Sequence, residues 1–324
     1  MVSWLLSSRS KNRADYYKRR RIIDQYLSRF FYILTALPVF LAVVLFLTLL
    51  VHSWPLLSVK PLWQLIANQT WLPTEGQFNF LPFIAGTLWV TFTALIIAVP
   101  PCLLVTIYLS EYAHRALREM MKPVLDLLAA IPSVVFGVWG VLAVVPWVKD
   151  LAVFSKKYLG FIPIFSSSNS TGFSILAGSI VLAIMIGPFI ISMAFEVLRA
   201  VPDGYREASL SVGATRWETI KLVLFPKISS GIIAAIVMGA SRALGETMAV
   251  LMVVGNVAHI PTSIFDPAYP LPALIANNFG EMLSIPLYDA ALMTAAFILL
   301  ILVLIFNIVA SLMLRRIIQK EYSS

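Results

Sequence analysis

Six stretches of this chain, at 30–51, 83–109, 124–148, 173–197, 231–254 and 290–314, each run for 22 residues or more with at most two charged side chains. A helix needs about 20 apolar residues to cross a hydrocarbon core about 30 Å thick. The runs are continuous rather than alternating, which excludes the strands of a membrane barrel. The chain of 324 residues is 60% hydrophobic and only 12% charged, with a mean hydropathy of +0.88. Soluble domains carry about 25% charged residues. These figures exclude a soluble enzyme, a disordered protein and a disulfide scaffold. Cys102 is the one cysteine and has no internal partner to bridge. The expected fold is all-α, a polytopic membrane protein with six transmembrane helices. The first run is too long for the apolar region of a signal peptide, and no small-residue cleavage site follows it.

Positive charge orients the spans. Of the 24 Lys and Arg residues, 19 fall in the N-terminal tail, the loops after spans 2 and 4 and the C-terminal tail, and four fall in the opposite loops. That asymmetry predicts both termini in the cytoplasm. Basic flanks beside anionic membrane lipid account for the net charge of +8, so no nucleic-acid partner is implied. The resulting division is a basic cytoplasmic tail (1–28), a first transmembrane helix with its outer loop (29–82), a core (83–314) and a cytoplasmic C-terminal tail (315–324).

Pro100, Pro101, Pro132, Pro146 and Pro188 lie in spans 2 to 4 and predict kinks or breaks there. The second outer loop has a polar run at 166–172 that reads as a flexible tip. The third, about 255–289, lacks Lys and Arg and is rich in Pro, Asn and apolar residues, so it is expected to dip back toward the protein.

The loop at 198–230 reads as two short helices joined at Gly213. The second opens with a capping box, Thr215 with Glu218 three residues on, and Pro226 is expected to end it. Ala208, Ser209, Gly213 and Ala214 are small and would let another surface approach the backbone. Glu207 and Arg216 would rim such a contact. From these residues alone the segment is either a docking surface or a hairpin packed on its own bundle.

Span 5 contains Ser241, Arg242, Gly245, Glu246 and Thr247. Arg242 lies about 17 Å from either proposed end at 1.5 Å per residue. A charge there costs on the order of 3 kcal/mol or more. Glu246, four residues on, would share the face of Arg242 in a continuous helix and pair with it. The pair either fixes helix packing or marks a polar site in a translocation path. A guanidinium fork matches a tetrahedral oxyanion. Asn307 in span 6 is expected to hydrogen-bond another helix.

Glu207, Ala208, Ser209, Gly213 and Pro226 resemble the "EAA" loop of the permeases of type I ABC importers, with Ser209 replacing the second Ala. Arg242, Gly245, Glu246 and Thr247 after such a loop resemble the phosphate-importer permeases. So do Gly86-Thr87-Leu88, the run from Ile107 to Ala113, the run from Ile131 to Val135 and the run from Ala276 to Glu281. The likeness covers about residues 80–315 and is nearest to PstC-like subunits. It implies a bacterial inner-membrane permease that passes inorganic phosphate inward by alternating access. It further implies a PstA-like sister permease as a heterodimer partner, two copies of a PstB-like ATPase docked on the loop from Glu207 to Trp217 and on Pro226, and a soluble PstS-like phosphate-binding protein. Ser241, Arg242, Glu246 and Thr247 would then lie on the phosphate path.

The chain has no phosphate-binding loop and no Gly-Lys dipeptide, so ATP and Mg are expected on the partner ATPase and no cofactor on this chain. His52, His114 and His259 are scattered and form no metal site or catalytic set. The chain is therefore expected to be a non-catalytic subunit. A permease for sulfate, molybdate or phosphonate is the alternative, and an ion-coupled secondary transporter the more distant one.

Overall fold

The computed structural model describes residues 2–166, 169, 171–281 and 285–323. Six helical segments are long and apolar enough to cross a membrane: Asp24–Val59, Leu81–Tyr112, Ser133–Tyr158, Ile175–Arg199, Arg216–Leu244 and Tyr288–Arg316. The chain divides into two units, Met1–His52 and Ser53–Ser324. The first consists of most of helix α1 (Val2–Val59). Its described side chains, from Asp24 to His52, include none that is buried. Thr35 and Thr48 return their hydroxyls to carbonyls four residues back, which satisfies them within the helix.

The second unit holds the core. After α2 (Leu62–Ala67), Trp71 packs against Phe78, Phe80 and Phe83 with ring centroids 5.6, 5.6 and 4.9 Å away. α3 (Leu81–Ile107) then runs through Pro100 and Pro101 without interruption and passes into a π-helical turn, Tyr108–Tyr112. α7 (Ile175–Arg199) is the central helix and is buried along most of its length. Apolar contact gains little in lipid, so close approach and interhelical hydrogen bonds must hold such a bundle. Ser179 Oγ on α7 donates to the Val90 carbonyl of α3 at 3.0 Å. A Cβ on Gly239 would come within 2.7 Å of Ile190 on α7, so the helix bearing Gly239 packs there only because glycine occupies the position.

The third span lies later than the sequence suggests. Residues 124–130 belong instead to α4 (Arg115–Ala130), a separate helix with charged residues on one side. Pro132 restricts Ile131 to an extended conformation, ψ 130°, and so separates α4 from α5 (Ser133–Trp139). α5 continues through a π-helical turn, Gly140–Val144, into α6 (Val145–Leu159), which carries Pro146 in its first turn.

The loop at 198–230 contains α8 (Gly204–Ser211) and the single turn α9 (Arg216–Glu218). Pro226 does not end the second helix. A π-helical turn, Thr219–Leu224, precedes it, and the helix continues as α10 (Phe225–Leu244). Both Pro146 and Pro226 thus follow a π turn, in which the residue before proline donates five residues back: Val145 to Gly140 and Phe225 to Ile220. The wide turn absorbs the missing amide of the proline, as such local adjustments do in membrane helices.

The third outer loop does return to the protein. α12 (Leu271–Asn278) buries Leu271, Pro272, Ala273 and Leu274, and the Leu271 amide donates to Thr87 Oγ1 at 2.9 Å. In the polar run at 166–172, Ser167, Ser168 and Ser170 lie outside the described residues. Asn169 is anchored rather than loose, since its Nδ2 donates to the Phe173 and Phe265 carbonyls at 2.7 and 3.0 Å. The final helix, α13 (Tyr288–Ser323), closes the unit.

Candidate functional site: a broken span and a docking loop

The fifth span breaks at the predicted site. α10 stops at Leu244, Gly245 serves as its C-cap, and a short helix, α11 (Met248–Val253), begins after Thr247. The expected pairing of Arg242 with Glu246 assumes an unbroken turn between them, and the break removes it. No such ion pair is found among the described residues. Glu246 is half-buried and its Oε1 accepts from the Ala249 amide at 3.2 Å, so it caps α11 instead. Thr247 Oγ1 donates to the Gly245 carbonyl at 3.2 Å, inside the break. A Gly followed by an acidic residue ahead of an apolar run was the signal for this stop and restart.

Arg242 is left in the last turn of α10 with its side chain exposed. Its guanidinium carbon stands 5.7 Å from the centre of the Phe189 ring of α7, a cation–π distance. The Ser241 hydroxyl is shared between the Val237 carbonyl at 3.0 Å and Asn307 Oδ1 on α13 at 2.9 Å. Asn307 therefore is the interhelical partner that its place in span 6 suggests, and it fastens α13 beside Arg242.

Behind this face, Thr87, Thr91, Glu246 and Pro270 line a cavity of about 10 Å³. That is the room of about one water and far too little for a tetrahedral oxyanion. Glu246 thus faces the interior of the bundle, whereas Arg242 faces out. Met238, one turn before Arg242, and Met248, just past the break, are also exposed.

The loop at 198–230 forms as the sequence indicates at its turn and cap. Gly213 has φ +87°, a left-handed conformation that favours glycine, and nothing lies within 4 Å of its added Cβ position. The Glu218 amide donates to Thr215 Oγ1 at 3.3 Å, and the Thr215 amide donates to Glu218 Oε2 at 2.7 Å, completing the capping box. Glu207, Ala208, Gly213, Arg216, Trp217 and Pro226 are exposed. Ser209 and Ala214 are half-buried, and the Ser209 and Thr219 hydroxyls meet at 3.0 Å. The Ala214 amide donates to the Ser209 carbonyl at 3.3 Å, so both residues are bonded within the loop. Leu210, Val212 and Trp217 are exposed, Val212 at 83%, which gives the loop an uncovered apolar tip. Among the described residues no group of three His, Cys, Asp or Glu side chains could hold a metal ion.

The family of binding-protein-dependent transport system inner membrane components matches residues 103–320. The phosphate transport system permease protein PstC of Pasteurella multocida is 36% identical over 299 residues, 91% of each chain. The protein of the same name from Xylella fastidiosa strain Temecula1 is 36% identical over 255 residues, 78% of each chain. Among solved structures, a chain of a bacterial alginate ABC transporter in complex with an alginate pentasaccharide-bound periplasmic protein aligns with a TM-score of 0.52 at 19% identity, over 74% of this chain and 79% of that one. At that identity the likeness speaks for the fold.

Proposed function

The chain belongs to the family of binding-protein-dependent transport system inner membrane components, and from that membership we propose that it is the PstC-like permease subunit of an ATP-driven importer of inorganic phosphate. One observation carries the reading of the site: an arginine within the span, at a helix break, exposed and without a carboxylate partner among the described residues. A guanidinium in lipid is costly unless something covers it. A phosphate in transit, held within a second permease chain, supplies the matching oxygens.

In this reading a PstA-like chain covers the Arg242 face, and two PstB-like ATPases carry ATP and Mg. A PstS-like protein delivers phosphate to the outer loops. Both termini are cytoplasmic, because the basic residues gather at that end. ATP binding draws the ATPases together and pulls the loop around Glu207, Ala208, Gly213, Arg216 and Trp217. The spans rock, phosphate meets Arg242, and hydrolysis returns the path to the inward state. Ser241, fastened to Asn307, and Thr247, in the break, hold the backbone of the site. Glu246 fixes the break by capping α11. The contact must be moderate, since a site that binds too tightly does not release.

The test is phosphate uptake by the assembled complex carrying Arg242→Gln, reconstituted with a phosphate-loaded binding protein. Loss of one charge-assisted contact of about 1.5–3 kcal/mol predicts a fall of roughly 10- to 100-fold. Normal import by an assembled Arg242→Gln complex would overturn the role of Arg242. ATPase stimulation by sulfate in place of phosphate would favour a permease for another oxyanion.

A further inference from the structure

A part-buried ion pair connects the loop at 198–230 to the second span. Arg206, in the first turn of α8, turns inward from the exposed face of the loop. Its Nε donates to both Glu111 carboxylate oxygens at 3.2 Å, and its Nη2 donates to Oε1 at 3.0 Å. Nη2 also donates to the Leu198 carbonyl at 3.0 Å, and Nη1 donates to the Val201 carbonyl at 2.9 Å and to Asp203 Oδ1 at 3.1 Å. The Arg206 and Glu111 side chains keep only 18% and 11% of their exposure, whereas the pairs Arg115–Glu119 and Lys122–Glu196 lie open to solvent.

Glu111 belongs to the π turn Tyr108–Tyr112 that ends the second span. The same turn is held from two other sides. Arg118 of α4 donates to the Leu109 and Ser110 carbonyls at 3.0 and 2.5 Å, and Arg216 Nη1 donates to the Glu111 carbonyl at 3.4 Å. A shielded pair adds little net stability over apolar residues, and removing one partner leaves the other charge without its match. A planar fork on a carboxylate also fixes direction as well as distance. The pair is thus suited to keeping two elements in register.

We propose that Arg206 and Glu111 are positioning residues for transport: a latch that makes the docking loop and the inner end of α3 a single moving body. Force applied at α8 enters α3 at Glu111. It passes to α7 through the packed face that includes Ser179 and Val90, and α7 carries Phe189 beneath Arg242. The inference rests on the proposed function, since it needs an ATPase that moves the loop.

The test uses the complete complex, with its permease partner, ATPase and phosphate-loaded binding protein, and reads phosphate moved per ATP hydrolysed. Glu111→Gln loses the charge and Arg206→Lys loses the fork. Both are expected to assemble and hydrolyse ATP while moving about tenfold less phosphate per ATP, the size of a typical coupling energy. A merely structural role would lower the amount of complex and leave that ratio unchanged, and an unchanged ratio overturns the latch. A second measurement does not depend on losing the pair. Glu111→Cys combined with Arg206→Cys is bridged by a short bifunctional thiol reagent, with Cys102 buried and out of reach. Bridging is expected to raise transport per ATP above that of the unbridged double variant. Bridging that stops transport shows that the contact must open during the cycle, and overturns the proposal. If the unsubstituted complex couples no ATP to phosphate, the functional reading fails instead of the latch.

Discussion

Gly239 inside α10 and Gly245 at its end are both small, and they behave differently. A Cβ on Gly239 would meet Ile190 Cγ1 and Cδ1 at 2.7 and 2.9 Å, whereas at Gly245 its nearest neighbour is the Arg242 carbonyl at 3.8 Å. Gly239 is therefore a contact glycine, and Gly245 belongs to the helix stop. Gly239→Ala must displace Ile190 or separate the two helices, and overpacking of this kind costs about 1–3 kcal/mol. Thermal unfolding of the purified complex should show a lower midpoint for Gly239→Ala. In an Ile190→Ala background the same change should cost less, because the opposing side chain is gone. Equal costs in the two backgrounds would mean that the two residues do not press on each other.

At the scale of elements, the π turns before Pro146 and Pro226 explain how helices cross positions that the sequence marks as stops. Proline removes an amide and crowds the carbonyl four residues back. In the turn before Pro226 the Phe225 amide reaches Ile220 instead, and the helix continues. Pro226→Ala restores the amide and removes the ring, so the wide turn loses its cause. The amides around 219–226 should then exchange more slowly with solvent hydrogen, since Pro costs about 3 kcal/mol in a helix interior relative to Ala. Unchanged exchange across that segment would assign the turn to packing rather than to proline. The same contrast marks what was legible in the sequence. The number of spans, the capping box at Thr215, the left-handed turn at Gly213 and the Asn307 bond each follow from a local rule of spacing or composition, whereas the start of the third span was hidden by Pro132. The continuation through Pro226 does not, because it depends on a backbone adjustment that no side-chain pattern records. The Arg242–Glu246 pair failed for a related reason: the four-residue rule holds only inside one helix, and Gly245 ends it. Arg206 left no signal, because its partner Glu111 lies 95 residues away in sequence.

At the scale of the whole molecule, two arginines of the second unit are handled in opposite ways. The Arg206–Glu111 pair is part-buried, and the Arg206 N–H groups all have acceptors. Arg242 is left outward on a membrane-spanning segment that also exposes Met238, while the space lined by Thr87, Thr91 and Glu246 is only about 10 Å³. A chain surrounded by lipid would have to keep that guanidinium in hydrocarbon at a cost on the order of 3 kcal/mol or more. In the proposed function the site of Arg242 is half a site, whose other wall the sister permease supplies. Met238 sits one helical turn from Arg242 and so shares its face. Met238→Cys introduces a thiol there, against a background in which Cys102 is 5% exposed. A membrane-permeant maleimide should label this cysteine readily when the chain is expressed alone. Labelling should be strongly suppressed when the sister permease is co-expressed, and addition of the ATPase should leave it suppressed. Labelling that is equally fast with and without the second permease would mean that the Arg242 face looks toward lipid, and the guanidinium would then have to be assigned to packing against Phe189 rather than to a path.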